Sequence, residues 1–320
     1  MTKPLVLLFS GQGSQTFHMG RELVRSVPAV ADRFHALDAV ARGLLGFSIA
    51  EIVFDPARKR FEPFDRLLHS NPALFMLQFA LADALIAEGV RPAAVMGASL
   101  GEIVALTVAG AFEPAEALEL VIALAEVSER QGAAGGLIAV LAPPAIVDER
   151  PELFEGIEVA GTSAEAHFVA AGPADRLARL ERVLGAEGQA CLILPVRFAF
   201  HSSYMEPLRP ALQAVFAGLE GRPLDLPVVS CVTAGTLERL PEGHLWQVVR
   251  DPMRLADAFR GLERRQGSLF VDLGPSGTMS TVAKYNLAEG AGSEATTVMS
   301  LFGNEVAAFE ALRRRLGLGG

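Results

Sequence analysis

The chain has 320 residues, of which 51% are hydrophobic and 20% are charged, and its formal net charge at pH 7 is −9. This length and composition indicate a folded globular protein with one large domain, or with a large and a small one. The acidic balance argues against a surface that follows nucleic-acid phosphates, so we expect no nucleic-acid partner.

The cysteine and hydropathy patterns predict a cytoplasmic protein. Cys191 and Cys231 lie in apolar runs and are expected to be free thiols in a reducing compartment. The residues Met1–Pro4 lead into an apolar strand without a signal-peptide pattern. The longest apolar stretch, Pro72–Val90, is interrupted by charged side chains, which favours a core helix over a membrane span. The six histidines form no metal-ligand pattern, so no metal is expected.

The first part of the chain combines apolar strands with helices. In chain order, its patterns predict a strand over Leu5–Phe9, helices over Arg21–Leu37 and Pro72–Glu88, a strand over Arg91–Met96, a helix ending at about Ala109 and a helix over Glu113–Arg130. Pro72 is expected at the first helical position, where its missing N–H is not needed.

The order of predicted strands and helices changes near Gln131, and the earlier order resumes after residue 198. Residues 131–198 predict a β-α-β-α-β unit, with strands over Leu137–Leu141, His167–Ala171 and Ala190–Val196. The remainder predicts a helix over Leu208–Leu219, a strand over Val228–Thr233, a helix over Asp257–Arg265 and a strand over Leu269–Leu273. We therefore predict an α/β fold: a large α/β-hydrolase-like domain with a parallel sheet (1–130 and 199–320) plus a small ferredoxin-like α+β subdomain (131–198).

The pentapeptide Gly97–Gly101 has the sequence G-x-S-x-G and lies between a predicted strand and a predicted helix. This context is typical of a nucleophile elbow, whose sharp turn lifts the serine hydroxyl above the sheet. Backbone N–H groups at the following helix N-terminus favour developing negative charge. The alternative is a tight turn in which Ser99 only caps the helix.

A second glycine-rich turn, Gly11–Gln15, follows the first strand. The backbone N–H of Gln12 is a candidate to join that of Leu100 in an oxyanion hole. A simple turn before a helix is the alternative, and the spacing fits neither phosphate-binding motif. An activated serine also needs a base. His201 follows a predicted strand and precedes two serines, whereas His35 is expected at the surface and His244 in a polar turn.

Four motifs together resemble malonyl-CoA:acyl-carrier-protein transacylases and the acyltransferase domains of polyketide synthases, over almost the whole chain. They occur in the family's order at Phe9–Gln15, Gly97–Glu102, Phe198–Ser203 and Leu273–Gly277. The resemblance implies that Ser99 is the acylated nucleophile, His201 its base, and Gln12 and Leu100 the oxyanion donors. It also implies a serine–histidine pair whose imidazole is oriented by a backbone carbonyl, here at about Val248.

One departure from the malonyl-selective members concerns the substrate pocket. Those members resemble one another in an arginine on the helix after the elbow, which pairs with the substrate's free carboxylate. Aligned without gaps from Ser99, that position here is Leu124, and no arginine occurs between Arg91 and Arg130. Because an unpaired buried charge is costly, malonyl selectivity should be lost.

Two further departures agree with a pocket for uncharged acyl chains. Ala98 replaces the histidine that usually precedes the serine, and the apolar residues Phe198 and Phe200 precede His201. Within the family, this combination resembles the discrete, trans-acting acyl hydrolases of polyketide pathways, which clear stalled acyl groups from carrier proteins and pass them to water.

The sequence leaves several functions open. We favour a proofreading hydrolase of acyl-carrier-protein thioesters. The alternatives are a transferase of a non-carboxylated acyl unit, a malonyl transferase with a substitute cation such as Arg197, and a catalytically silent docking module. The acyl carrier protein and its acyl thioester are the expected partners, with Arg197 as a candidate carrier contact. No cofactor beyond the substrate's phosphopantetheine is expected, and the resemblance favours a monomer.

Overall fold

The computed structural model describes residues 3–219, 221–263, 267–288, 290 and 292–318. Its strands are β1 Leu5–Phe9, β2 Ala94–Gly97, β3 Gly136–Val140, β4 Glu158–Ala164, β5 His167–Gly172, β6 Cys191–Ile193, β7 Pro223–Val229, β8 Thr236–Arg239, β9 Leu269–Asp272 and β10 Glu294–Thr297. Its α-helices are α1 Arg21–Ser26, α2 Pro28–Leu45, α3 Ile49–Val53, α4 Leu67–Ala87, α5 Leu100–Val108, α6 Pro114–Gln131, α7 Ile146–Glu149, α8 Ala174–Ala186, α9 Arg209–Phe216, α10 His244–Arg250, α11 Leu255–Glu263, α12 Thr278–Asn286 and α13 Glu305–Arg315, with a 3₁₀ helix over Ser203–Leu208.

The larger sheet has the strand order β10-β9-β1-β2-β7-β8. All its pairings are parallel except that of the edge strand β8 with β7. The central strand β1 consists only of apolar residues because both of its faces are covered. Leu5, Leu7 and Phe9 pack with helices α4 to α6 on one face, and Val6 and Leu8 pack with α11 and α12 on the other.

The smaller sheet is antiparallel, with the order β4-β5-β3-β6. Its βαββαβ element sequence is ferredoxin-like, as predicted. Strand β4 was missing from the predicted elements, because its residues are mostly small and give no apolar alternation. Gly161 in β4 lies against Met253 of the larger unit, where a Cβ would come within 2.8 Å of the Met253 Cβ.

Proline positions account for two wrong helix boundaries. The predicted helix over Arg21–Leu37 is two helices, because Val27 is extended and Pro28 begins α2. Pro72 lies inside α4 and does not begin it. Proline has no backbone N–H, so the hydrogen bond to the carbonyl of Leu68 is missing. Leu67 is nevertheless buried against Ala125 and Phe198, and this packing stabilises the helical turn before Pro72.

Helix α4 is the one helix in the described ranges that is long and apolar enough to cross a membrane. In the fold, 83% of its most apolar 18-residue window is buried inside the protein. Helix α4 is therefore a core helix, as predicted. The predicted helix over Asp257–Arg265 corresponds to α11, and its last two residues lie outside the described ranges.

Candidate active site

Ser99 lies on a strained turn between β2 and α5. Its backbone angles are φ 54° and ψ −121°, a region that residues other than glycine rarely adopt. A Cβ at Gly97 would lie 1.9 Å from the Gly101 carbonyl oxygen, and a Cβ at Gly101 would lie 2.3 Å from that of Phe9. Both glycines are thus required for the turn to close against the sheet, which is the geometry of a nucleophile elbow.

His201 contacts Ser99 directly. Its Nε2 lies 2.8 Å from the Ser99 Oγ, and its Nδ1 lies 3.1 Å from the carbonyl oxygen of Asp251. Because a carbonyl can only accept, Nδ1 carries the proton and Nε2 is left to accept from the serine hydroxyl. The backbone of His201 adopts φ 61° and its N–H donates to the Val249 carbonyl, which fixes the ring further.

The prediction that the Val248 carbonyl orients the imidazole is wrong. Val248 lies inside α10 and lines the pocket with its side chain. Asp251 follows the last helical residue in an extended conformation, and this change of direction brings its carbonyl to the imidazole.

Burial lowers the pKa of His201 to about 4, against the opposing effects of the Asp251 carbonyl and the Glu102 carboxylate. The imidazole is therefore neutral at physiological pH and available as a base.

This pKa predicts an unusual pH dependence. Only the neutral imidazole can accept the serine proton, so kcat/KM for a neutral acyl thioester should stay level between pH 8 and pH 6 and fall with a midpoint near pH 4. Initial rates across this range measure the midpoint, and near-UV circular dichroism confirms that the fold persists. A midpoint near pH 6.5, the usual value for histidine, would contradict this account.

The turn after β1 lies beside the elbow because β1 and β2 are neighbours in the sheet. Gln78 of α4 holds this turn by accepting from the Ser10 N–H at 2.7 Å and donating to the Ser10 carbonyl at 3.0 Å. Gly11 is so close to the elbow that a Cβ would lie 2.5 Å from the Ala98 carbonyl oxygen.

Gln12 and Leu100 both line the pocket at Ser99. Within the described residues, the backbone N–H groups of Gln12 and Leu100 donate to no acceptor, so both are available to a developing oxyanion.

The fourth motif supports the same turn from the other side. Asp272, at the end of β9, accepts from the N–H groups of Gly274 at 2.7 Å and Ser280 at 2.9 Å. Burial raises the pKa of Asp272 to about 6, although these donors act in the opposite direction. Gly274 lies so close to Ser10 that a Cβ would clash with the serine hydroxyl.

A cavity of about 90 Å³ opens beside Ser99 and His201. Leu124 and Phe200 line it, as predicted. Apart from His201, the described part of the lining contains no side chain that can carry a charge. The lining residues within the described ranges are Gln12, Asn71, Ser99, Leu100, Ile103, Leu124, Ser128, Leu137, Val169, Leu194, Phe200, His201, Val248, Val249 and Met253.

Two residues predicted for the pocket lie outside this lining. The Ala98 side chain packs with Met96 in the cluster on the opposite face of the larger sheet. Phe198 packs against Leu67 and Ala125, and its ring centroid lies 6.0 Å from that of Phe200, so it contacts this lining residue without itself lining the cavity. Arg197 is also outside the lining, with a side chain that is 64% exposed and 4.0 Å from Asp65.

The sequence-based prediction missed a buried hydrogen-bond partner of the elbow helix. Glu102 accepts from the Cys231 N–H at 2.6 Å, and its second oxygen lies 2.6 Å from the His244 Nε2. Both side chains are fully buried. His244 ends the predicted turn, with its N–H donating to the Pro241 carbonyl, but it also begins α10 and its side chain points into the protein. An acidic residue inside the otherwise apolar α5 was the available signal. This contact joins α10 to α5, the helix that follows the elbow. The Val249 carbonyl of α10 also accepts from the His201 N–H.

Both cysteines are free. Cys231 is buried, and burial raises the pKa of its thiol well above the ordinary value, as expected for an unreactive core thiol. Within the described residues, no group of three or more His, Cys, Asp or Glu side chains is arranged to hold a metal ion.

Comparisons with known proteins identify the family of the chain. The family described as "Acyl transferase domain" matches residues 6–318. The chain is 32% identical over 306 residues to the polyketide biosynthesis acyltransferase homolog PksD of Bacillus subtilis, covering 96% of this chain and 94% of the relative. It is 33% identical over 305 residues to the polyketide biosynthesis acyltransferase homolog BaeD of Bacillus velezensis, covering 95% of this chain and 94% of the relative.

A solved structure extends the comparison to the fold. The acyltransferase domain from the second module of the salinomycin polyketide synthase superposes with a TM-score of 0.87 at 30% identity, covering 100% of this chain and 74% of that one. This confirms the predicted α/β fold and the family indicated by the four motifs. The chain belongs to the acyl transferase family.

Proposed function

We propose that this enzyme hydrolyses thioesters of short, uncharged acyl groups carried on the phosphopantetheine of an acyl carrier protein. The observation that carries the proposal is the pocket beside Ser99, where Leu124 faces the cavity and the described lining offers no cation. The proposal includes a cytoplasmic setting, a monomeric enzyme and a role in removing stalled acyl groups during polyketide biosynthesis.

The first half-reaction follows from the geometry of Ser99 and His201. The imidazole Nε2 takes the proton of the Ser99 hydroxyl, and the serine oxygen attacks the thioester carbonyl carbon. The carbonyl oxygen becomes an oxyanion that accepts from the N–H groups of Gln12 and Leu100. The C–S bond then breaks, the sulfur receives the proton from His201, and an acyl ester remains on Ser99.

The second half-reaction repeats these steps with water. His201 takes a proton from a water molecule while the water oxygen attacks the ester carbonyl carbon. His201 then returns the proton to the Ser99 oxygen as the ester bond breaks. Water as the acceptor is supported by the resemblance of the sequence motifs to the discrete acyl hydrolases of polyketide pathways.

The cavity supports a short acyl chain without charge. Its volume of about 90 Å³ is smaller than the roughly 150 Å³ apolar cavity that accepts benzene in another protein. A malonyl carboxylate would meet Leu124 without a counter-charge, and Arg130 is no substitute because its side chain is 74% exposed and pairs with Glu126.

Transfer of the same uncharged acyl group to a second carrier thiol is the alternative, since both acceptors use one acyl-enzyme. A silent docking module is disfavoured by the contact between the Ser99 hydroxyl and a neutral histidine.

The test uses acetyl- and malonyl-loaded carrier protein, each with and without a free acceptor carrier, followed by intact mass. Loss of acetyl at the same rate with and without acceptor supports hydrolysis. Loss that requires the acceptor, with the acyl mass appearing on it, supports transfer and contradicts hydrolysis. Faster turnover of malonyl would contradict the assignment of an uncharged substrate.

The variant Leu124→Arg tests the pocket argument separately. The guanidinium would supply the missing partner for a free carboxylate, so the ratio of malonyl to acetyl loading on Ser99 should rise at least about tenfold, the factor that 1.4 kcal/mol supplies. Intact mass of the enzyme measures both adducts. Leu124→Met, which keeps an apolar side chain of similar size, is the matched control and should leave the ratio unchanged. An unchanged ratio in Leu124→Arg would show that residue 124 does not contact the acyl group.

A further inference from the structure

We propose that the acyl pocket selects acyl groups that carry a neutral hydroxyl on carbon 2 or carbon 3. This inference rests on the acyl-enzyme chemistry proposed for Ser99. Its starting observation is Asn71, a residue of α4 that lines the pocket and is only 8% exposed. Within the described residues, its Oδ1 has no hydrogen-bond partner. A buried amide oxygen without a partner is rare in folded proteins, so a ligand group is the expected partner.

Ser128 places a second polar group in the same cavity. It lies on α6 one helical turn after Leu124, so both side chains are on the same face. Ser128 is 2% exposed and lines the pocket. Helices α4 and α6 pack against each other, which brings Asn71 and Ser128 to one cavity. Gln12 adds a third group, because its buried Nε2 also lacks a partner among the described residues.

These three side chains indicate the chemistry of the group they bind. All are neutral, and Leu124 provides no charge, so a carboxylate would be unpaired. An amide presents a donor and an acceptor, and the serine hydroxyl can act as either. A hydroxyl on the substrate also donates and accepts, so it can satisfy whichever amide atom faces the cavity. A methyl group of the same size would leave Asn71 buried without a partner.

The selectivity should therefore separate isosteric substrates. A site that hydrogen-bonds a substrate hydroxyl discriminates strongly against an analogue that lacks it. We expect the wild-type enzyme to be acylated at least about tenfold faster by 3-hydroxypropionyl than by butyryl thioester, or by 2-hydroxypropionyl than by 2-methylpropionyl thioester. Each pair replaces a hydroxyl by a methyl at one carbon.

The experiment measures the acylation of Ser99 by rapid-quench intact mass, with each acyl group on N-acetylcysteamine. Asn71→Leu should remove the hydroxyl preference of the wild-type enzyme, and Ser128→Ala should reduce it. Ser70→Ala is the matched control, because that buried hydroxyl donates to the Arg66 carbonyl and lies outside the pocket lining. It should keep the wild-type ratio.

Two results would overturn the inference: no hydroxyl preference in either pair for the wild-type enzyme, or an unchanged preference in Asn71→Leu. The wild-type ratio decides the matter even if Asn71→Leu does not fold. Because acylation precedes the choice of acceptor, a failure of hydrolysis leaves this test intact. An enzyme that hydrolyses acyl thioesters without a hydroxyl preference would contradict only the inference.

Discussion

Replacing Ser99 with alanine is expected to lower acyl-thioester turnover by at least about a thousandfold and to abolish the acyl-enzyme. The reason is that Ser99 supplies the only hydroxyl found to contact the His201 Nε2 in the described structure. Turnover of acetyl-carrier protein and labelling by a fluorophosphonate measure the two effects.

The backbone of Ser99 calls for a second variant. At φ 54° an alanine keeps the strain of the elbow, whereas glycine adopts this region freely. Ser99→Gly should be as inactive as Ser99→Ala without loss of thermal stability, which separates lost chemistry from lost fold. Ser70→Ala, a buried serine outside the pocket, should keep full labelling. Labelling or acyl-enzyme in either Ser99 variant would show that another residue is the nucleophile.

Replacing His201 is expected to slow acylation by about 10²- to 10⁴-fold, the range that a positioned general base contributes. Asparagine is the suitable replacement because it tolerates the left-handed backbone of this position, φ 61°, but cannot accept the serine proton. Single-turnover acylation by acetyl thioester measures the loss.

Two observations would distinguish a base from a structural role for His201. His201→Asn should retain the wild-type melting temperature within a few degrees, and its remaining rate should lose the acid limb near pH 4. His35→Ala, at an exposed position of α2, is the control and should change neither rate nor profile. A rate within threefold of wild type in His201→Asn would contradict the assignment of the base.

The elbow was predictable because its determinants are local. Gly97, Ser99 and Gly101 lie within five residues between an apolar strand and an apolar helix. A Cβ at either glycine would clash with backbone atoms, which explains why that spacing is needed. The pairing of Ser99 with His201 required family resemblance, since the two residues are 102 positions apart.

Other features depended on contacts that no local pattern encodes. The carbonyl that orients His201 is set by where α10 ends, and a count along the chain gave Val248 instead of Asp251. Glu102 and His244 are 142 positions apart, and each looks like a surface residue outside its tertiary context. Ala98 was misplaced because the sequence does not show which side of the elbow its Cβ faces.

The most direct test of the central claim follows the fate of the acyl group on Ser99. The enzyme is loaded with acetyl from a small thioester, freed of substrate by rapid gel filtration, and divided between buffer alone and buffer with excess free carrier protein. Intact mass then gives the decay of the acetyl-enzyme. We predict rapid decay in buffer alone that the carrier thiol does not accelerate, with acetate as the product. A stable acetyl-enzyme that is discharged only by the carrier thiol, with acetyl appearing on the carrier, would contradict hydrolysis.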